Sequence, residues 1–452
     1  MGCSRNTAGR RLARSAALPL TVAAALIAAP AQAQSAADFD ELRREVAALK
    51  AHREADAARI AQLEAALASP PTVVQADASR AALAGPLAPA APVNPAGGSA
   101  PTTSAPSASA LSAPGRLDLS GDVRLRYEAN AGDRDGPNRT REVLRARLRA
   151  SYSVNDWLAV GGQIATGDPD DPNSSDITLG NFADDLTVSL DQAYARLSLG
   201  KFQAYLGKFP QPFARTELVW DGDVSPQGIS AAYTVGTGGG SSFKAVGVYF
   251  VVDEQVAGPD SDMIGGQLQF ETIAAAPLKL ELAAGYYDYR LRSQAGSDAG
   301  DLRTNRLVNG RYLHDFDMLD VIAAVTASGL HEKWPVRLVA NYVRNFGAPA
   351  DEGTGYGVDL AVGRARDRGD VRFGYGYAEA AVDAVLAAFS HDNTDLGTNY
   401  RQHTLLADYV VASGIIVNGT LYRFRPRSPL FTTAALPDDW VNRFRLNLLI
   451  SF

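Results

Sequence analysis

From Arg116 to the last residue the chain is a succession of segments, each of roughly ten residues, in which every second side chain is apolar. In the first, Leu117, Leu119, Val123, Leu125 and Tyr127 share one side and Asp118, Ser120, Asp122, Arg124, Arg126 and Glu128 the other, because successive strand residues point to opposite faces. In the next, Leu144, Ala146, Leu148 and Ala150 oppose Arg145, Arg147 and Arg149. The last sets Trp440, Phe444, Leu446, Leu448, Ile450 and Phe452 against Arg443, Arg445, Asn447 and Ser451. The alternation recurs at 278–289, 336–345 and 371–378. Seventeen segments can be counted, but a chain that enters and leaves a membrane on one side crosses it an even number of times. The weakest, 304–313, lacks alternation and is absorbed into a long loop from Arg290 to Phe316, which leaves sixteen strands. Short turns are expected at 155–156, 200–201, 236–241, 366–369 and 413–414, and long loops at 129–141, 167–186, 210–227, 381–399 and 427–439.

A soluble sandwich alternates in the same way, so the remainder of the chain decides. Residues 1–33 carry Arg5, Arg10, Arg11 and Arg14, an apolar stretch from Ala16 to Pro30 and then Ala31-Gln32-Ala33, the order of a cleaved secretory signal. Cys3, the single cysteine, precedes the apolar stretch, so the mature chain would have none and needs neither disulfides nor a thiolate-bound metal. Beyond the leader no run of about eighteen apolar residues exists to form a membrane helix. An exported, cysteine-free chain of strands long enough to span hydrocarbon fits a membrane barrel, since closure satisfies every backbone donor and acceptor in lipid. The expected fold is therefore all-β: a transmembrane antiparallel β-barrel over 116–452, water-filled at sixteen strands.

Two segments come before it. Over 36–68 a heptad places Phe39, Val46, Arg53, Ile60 and Leu67 at one seam position and Leu42, Leu49, Asp56 and Leu63 at the other. That is a short α-helical coiled coil with a polar centre, and a helix of this length is marginal in water without a partner. Residues 69–115 are rich in Ala, Pro and Ser with almost no charge and read as a flexible linker. The net charge of −7 leaves no excess of Lys and Arg to neutralise phosphates, which excludes a nucleic-acid partner.

Certain stretches carry a resemblance. Gly121-Asp-Val-Arg-Leu-Arg-Tyr-Glu128, the arginines at 145, 147 and 149, Asp191-Gln-Ala-Tyr194, and above all Gly207-Lys-Phe-Pro-Gln-Pro-Phe213 leading into Trp220-Asp-Gly-Asp-Val-Ser-Pro-Gln-Gly228 resemble the putative porins of Gram-negative outer membranes. The resemblance covers nearly all of 116–452. It implies passive diffusion of small hydrophilic solutes through a sixteen-stranded homotrimer set in outer-membrane lipid, with the helix in the periplasm. It also implies that the strand ending at Phe452 is read by the outer-membrane assembly machinery. No cofactor is implied.

Porins of this kind fold a long loop into the lumen, where its acidic groups face arginines on the wall and sort solutes by charge. Here the loop after the fifth strand is the candidate, with Arg215, Glu217, Asp221 and Asp223. Arg124, Arg126, Arg145, Arg147 and Arg149 would supply the wall, with Arg443 and Arg445 on the last strand. Arginine rows of this sort favour anions mildly, and each guanidinium keeps its charge at any working pH. The alternative is that these groups merely pair with one another. A channel specific for an oxyanion such as phosphate, and a tether that holds the envelope together with the barrel as anchor, are the rival functions.

Other residues carry less. Asp168, Asp170, Asp171 and Asp176 could bind a divalent cation, but a solvated loop explains them. His52, His314, His331, His391 and His403 have no metal-like spacing. His403 with nearby Thr404 and Asp408 is the one local cluster, and adjacent strand residues 403 and 404 should point to opposite faces, so an enzyme is not expected. Trp157, Trp334 and Trp440 lie beside turns or loops, as in an interfacial aromatic belt.

Overall fold

A computed structural model describes residues 116–132, 139–183, 185–237, 240–272, 277–329, 331, 333–431 and 440–452. The expected leader at 1–33, coiled-coil helix at 36–68 and linker at 69–115 lie outside the described residues.

Among the described residues sixteen long strands are formed: β1 Leu117–Gly132, β2 Thr140–Ser153, β3 Leu158–Thr166, β4 Val188–Leu199, β5 Phe202–Lys208, β6 Gln227–Gly236, β7 Ser242–Asp253 and β8 Ser261–Glu271 in the first half. The second half supplies β9 Leu278–Arg290, β10 Phe316–Ala327, β11 Val336–Asn345, β12 Thr354–Gly363, β13 Val371–Ala380, β14 Tyr400–Ala412, β15 Ile415–Pro426 and β16 Val441–Ser451. Each pairs antiparallel with its chain neighbours, and β1 pairs with β16 from Asp122↔Ser451 to Gly132↔Val441, which closes the cylinder. The seam ends in a reciprocal pair: Gly121 N donates to Phe452 O at 2.9 Å and Phe452 N to Gly121 O at 3.1 Å. The expected count holds. Residues 304–313 contain only a two-residue hairpin, Leu307–Val308 with Arg311–Tyr312, inside the loop before β10. The expected turns at 155–156, 200–201, 366–369 and 413–414 are found, and β6–β7, β8–β9 and β10–β11 are joined on the same rim.

The wall has an oily outside and a polar inside. Leu125, Tyr127, Leu148, Ile264, Leu268, Leu338, Leu405, Phe444 and Leu446 are all exposed, whereas Arg124, Arg126 and Glu128, which alternate with Leu125 and Tyr127, are buried. Left in water, each such apolar side chain would forgo about 1.5–3 kcal/mol of burial, so a belt of them around a closed sheet belongs in hydrocarbon. Trp157 and Trp334 sit exposed at the short-turn rim, the latter stacked on Phe373 with centroids 6.5 Å apart.

The core lies inside the cylinder. Phe209, Phe213, Trp220, Phe250, Tyr287, Tyr289, Phe389 and Tyr400 belong to one buried cluster, built by long-rim loops that turn inward against the wall. In this respect the interior is more filled than sixteen strands alone would lead one to expect.

Candidate functional site: a loop-narrowed lumen

The expected inward loop, 209–226, is set by two glycines. Gly207 at the end of β5 and Gly228 at the start of β6 pair with each other, with φ of 111° and 137°. A Cβ at Gly207 would come within 2.4 Å of Ala193 O, and one at Gly228 within 2.3 Å of Tyr249 O. Only glycine satisfies both the left-handed backbone and the close approach. Between them the proline-rich stretch leaves the strand and crosses the lumen. Gln267 on β8 clamps Ala214 through both N (2.7 Å) and O (2.8 Å). Thr216 bonds Asn341 on β11, and Gln192 on β4 bonds Ser225 at 3.0 Å. Trp220 is fully buried beside Phe213, Tyr287 and Phe389.

The arginine rows form one patch on β16, β1 and β2. The antiparallel register sets Arg124 opposite Arg145, Asp122 opposite Arg147, and Glu128 opposite both Arg141 and Arg445. Carboxylates answer them. Asp122 takes Arg145 at 3.0 Å, Arg147 at 2.9 Å and Arg149 at 3.3 Å. Asp223 reaches from the loop to Arg147 at 2.5 Å, with Arg145 at 3.8 Å. Asp176 binds Arg124, and Arg126 at 2.7 Å. Glu128 holds Arg141 and Arg445, each at 2.7 Å, and Asp395 takes Arg443 at 2.5 Å. Across the lumen Arg215 pairs with Glu217 at 3.3 Å. The wall arginines are thus brought together with the acidic loop, and the pairing foreseen as the alternative is extensive. Arg149 is the most open of the wall arginines.

The loop acids differ in state. Burial alone would raise the Asp223 carboxyl, but Arg147, Arg145 and Arg124 outweigh it and hold it below the usual carboxylate range. Burial, reinforced by the neighbouring carboxylates, pushes Asp221 well up, and burial also raises Glu217 and Asp392.

Sequence reasoning missed the partners Asp122, Glu128, Arg141 and Asp176, and it missed a second inward loop. Residues 381–399 fold into the lumen as well. Asp221 N donates to Phe389 O at 2.8 Å and His391 N to Glu217 O at 3.1 Å, a backbone clasp between the two loops. The signal was present: Ala381, Val382 and Ala384–Phe389 make that loop far too apolar for a solvated rim. Asp168, Asp170 and Asp171 line a chamber of about 320 Å³ on the long-loop side, with Asp191, Asp223, Asp253, Asp301 and Lys208. A second chamber, about 420 Å³, lies on the short-turn side against residues 210–214.

His314, Glu352 and Asp383, from three loops, bring ligand-type atoms within 4.8 Å of one another. Arg306 already holds Glu352 at 2.6 Å and His314 holds Asp383 at 2.9 Å, so internal pairing accounts for the group. His403 faces outward with Tyr375, and buried Thr404 faces inward.

Residues 133–309 match the family model described as "Putative porin". Among solved structures, the high-pH form of Pseudomonas putida OprB aligns over 75% of this chain and 94% of its own, with 16% identity and a TM-score of 0.51. Salmonella typhi OmpF in complex with daunomycin aligns over 74% and 97%, with 13% identity and a TM-score of 0.46. The anion-selective porin of Comamonas acidovorans aligns over 74% and 99%, with 12% identity and a TM-score of 0.45. No curated protein matches.

Proposed function

We propose that this porin-like barrel is an outer-membrane channel through which small hydrophilic solutes and ions diffuse passively down their gradients. The observation that carries the reading is a closed sixteen-strand wall, apolar outside, whose charged interior is narrowed by loops from one rim. An apolar exterior demands lipid, and a wet, charged interior gives ions a path that hydrocarbon denies them.

The finer selectivity follows from charge balance. On the β16–β1–β2 wall eight guanidiniums meet five carboxylates: Asp122, Glu128, Asp176, Asp223 and Asp395. Burial raises the carboxyls of Glu217, Asp221 and Asp392, which weakens their opposition to that surplus. The aspartates of the long-loop chamber oppose it, and at physiological salt a charge acts only over about 8 Å. A mild anion preference at the narrowest level is the result we propose. An oxyanion-specific channel is less well supported, since carboxylates already engage the guanidiniums that would bind the solute.

The long loops would face outwards, with both ends of the barrel on the periplasmic rim and Phe452 available there to the assembly machinery. A homotrimer and a periplasmic coiled coil at 36–68 complete the proposal. Purified, refolded protein in a planar bilayer at two salt gradients tests it by reporting conductance and charge sign together. A leader-free chain that stays monodisperse without detergent and passes no current would overturn it.

A further inference from the structure

Between β13 and β14 every residue from 381 to 399 except Asp395 is buried. Pairing of β13 with β14 does not call for a segment this long. Ala380 and Tyr400, at its two ends, pair directly, and a hairpin of two to five residues ordinarily joins such strands.

Its contacts lead in two directions. On one side it is clasped to 209–226 by the two backbone bonds at Asp221 and His391, and Phe389 stacks on Trp220 with centroids 6.0 Å apart and planes 19° from parallel. On the other it meets the arginine wall: Asn393 O accepts from Arg443 at 2.9 Å, Asn393 Oδ1 accepts from Arg445 at 3.0 Å, and Asp395 pairs with Arg443. The segment therefore occupies the gap between the transverse loop and the charged wall, where a solute would otherwise pass.

We propose that 381–399 is a second restriction element, and that it sets the size limit of the channel by filling the gap between 209–226 and the β16–β1 wall. The inference rests on the channel reading given above. Removing the loop would leave 209–226 anchored by Gln267, Asn341 and Arg147, so the first restriction would remain and only the gap beside it would open.

The test compares the full chain with a variant in which an Asn-Gly turn replaces 381–399, both refolded and checked for heat-dependent gel mobility. Single-channel conductance is recorded, and liposome swelling is followed with sugars of increasing size. The shortened chain should conduct about twofold more or better, as a wider constriction must, and should admit larger sugars. Equal conductance and an equal sugar limit would overturn the loop's role. Should the shortened chain fail to fold, Phe389→Ala, which removes the ring stacked on Trp220 at full length, decides by the same readouts: a raised limit supports the inference and an unchanged one ends it. A full chain that carries no current at all would instead sink the channel reading.

Discussion

Gly207 and Gly228 face each other across β5 and β6 at the root of the transverse loop, both in left-handed backbone and both against a neighbouring carbonyl. Either one changed to Ala should lower stability by about 1–3 kcal/mol, the usual cost of such strain. The heat-dependent mobility shift on gels would then come at lower temperature. A variant indistinguishable from the parent would show that the loop root yields freely.

Arg145 and Arg147 join the wall to the loop through Asp223. Changing both to Ala removes two positive charges from the narrowest level and leaves Asp223 with fewer partners. The zero-current potential in a salt gradient should move towards cations, and breaking a buried pair costs about 3–5 kcal/mol. An unmoved potential would exclude this pair from the filter.

Trp220 fills the junction of the two inward loops. Trp220→Ala should cost about 3–5 kcal/mol, as for other buried aromatics, and should make open-channel current noisier because the loops lose their shared anchor. Quiet current at unchanged stability would argue against that anchor.

Acidity should tune selectivity through the long-loop chamber. Burial pushes the Asp171 carboxyl up to about 7, although Arg303 opposes it, and burial raises Asp301 to about 6. Both are charged above these values and neutral below, so lowering the pH from 8 to 5 removes negative charge from the chamber. Reversal potentials should shift towards anions over that interval, and Asp171→Asn with Asp301→Asn should flatten the dependence. A full chain with no pH dependence would contradict it.

Much of this was legible in the sequence. Alternation places Leu125 and Tyr127 outside and Arg124 and Arg126 inside because a strand has a period of two, and parity settles the fate of 304–313. The glycine–proline stretch marks the transverse loop. What could not be read was which acid meets which arginine. Asp176 reaches Arg124 and Arg126 from a loop some fifty residues on, and Asp395 reaches Arg443 from another. Such pairs depend on how loops cross a closed cylinder, which no local period encodes. The inward turn of 381–399 lay between these cases, since its apolar composition pointed to burial without saying where.

The bond between Gly121 and Phe452 has a kinetic consequence. The first strand finds its last partner more than three hundred residues away in sequence, among the least local contacts this chain can make, and such contacts slow folding. Until the final strand arrives, β1 and its current neighbour at the other end each present an unsatisfied edge, and such an edge recruits foreign strands. Aggregation during refolding should therefore be governed by how long the open sheet persists, and a chain that lacks its last strand should remain in that vulnerable condition indefinitely.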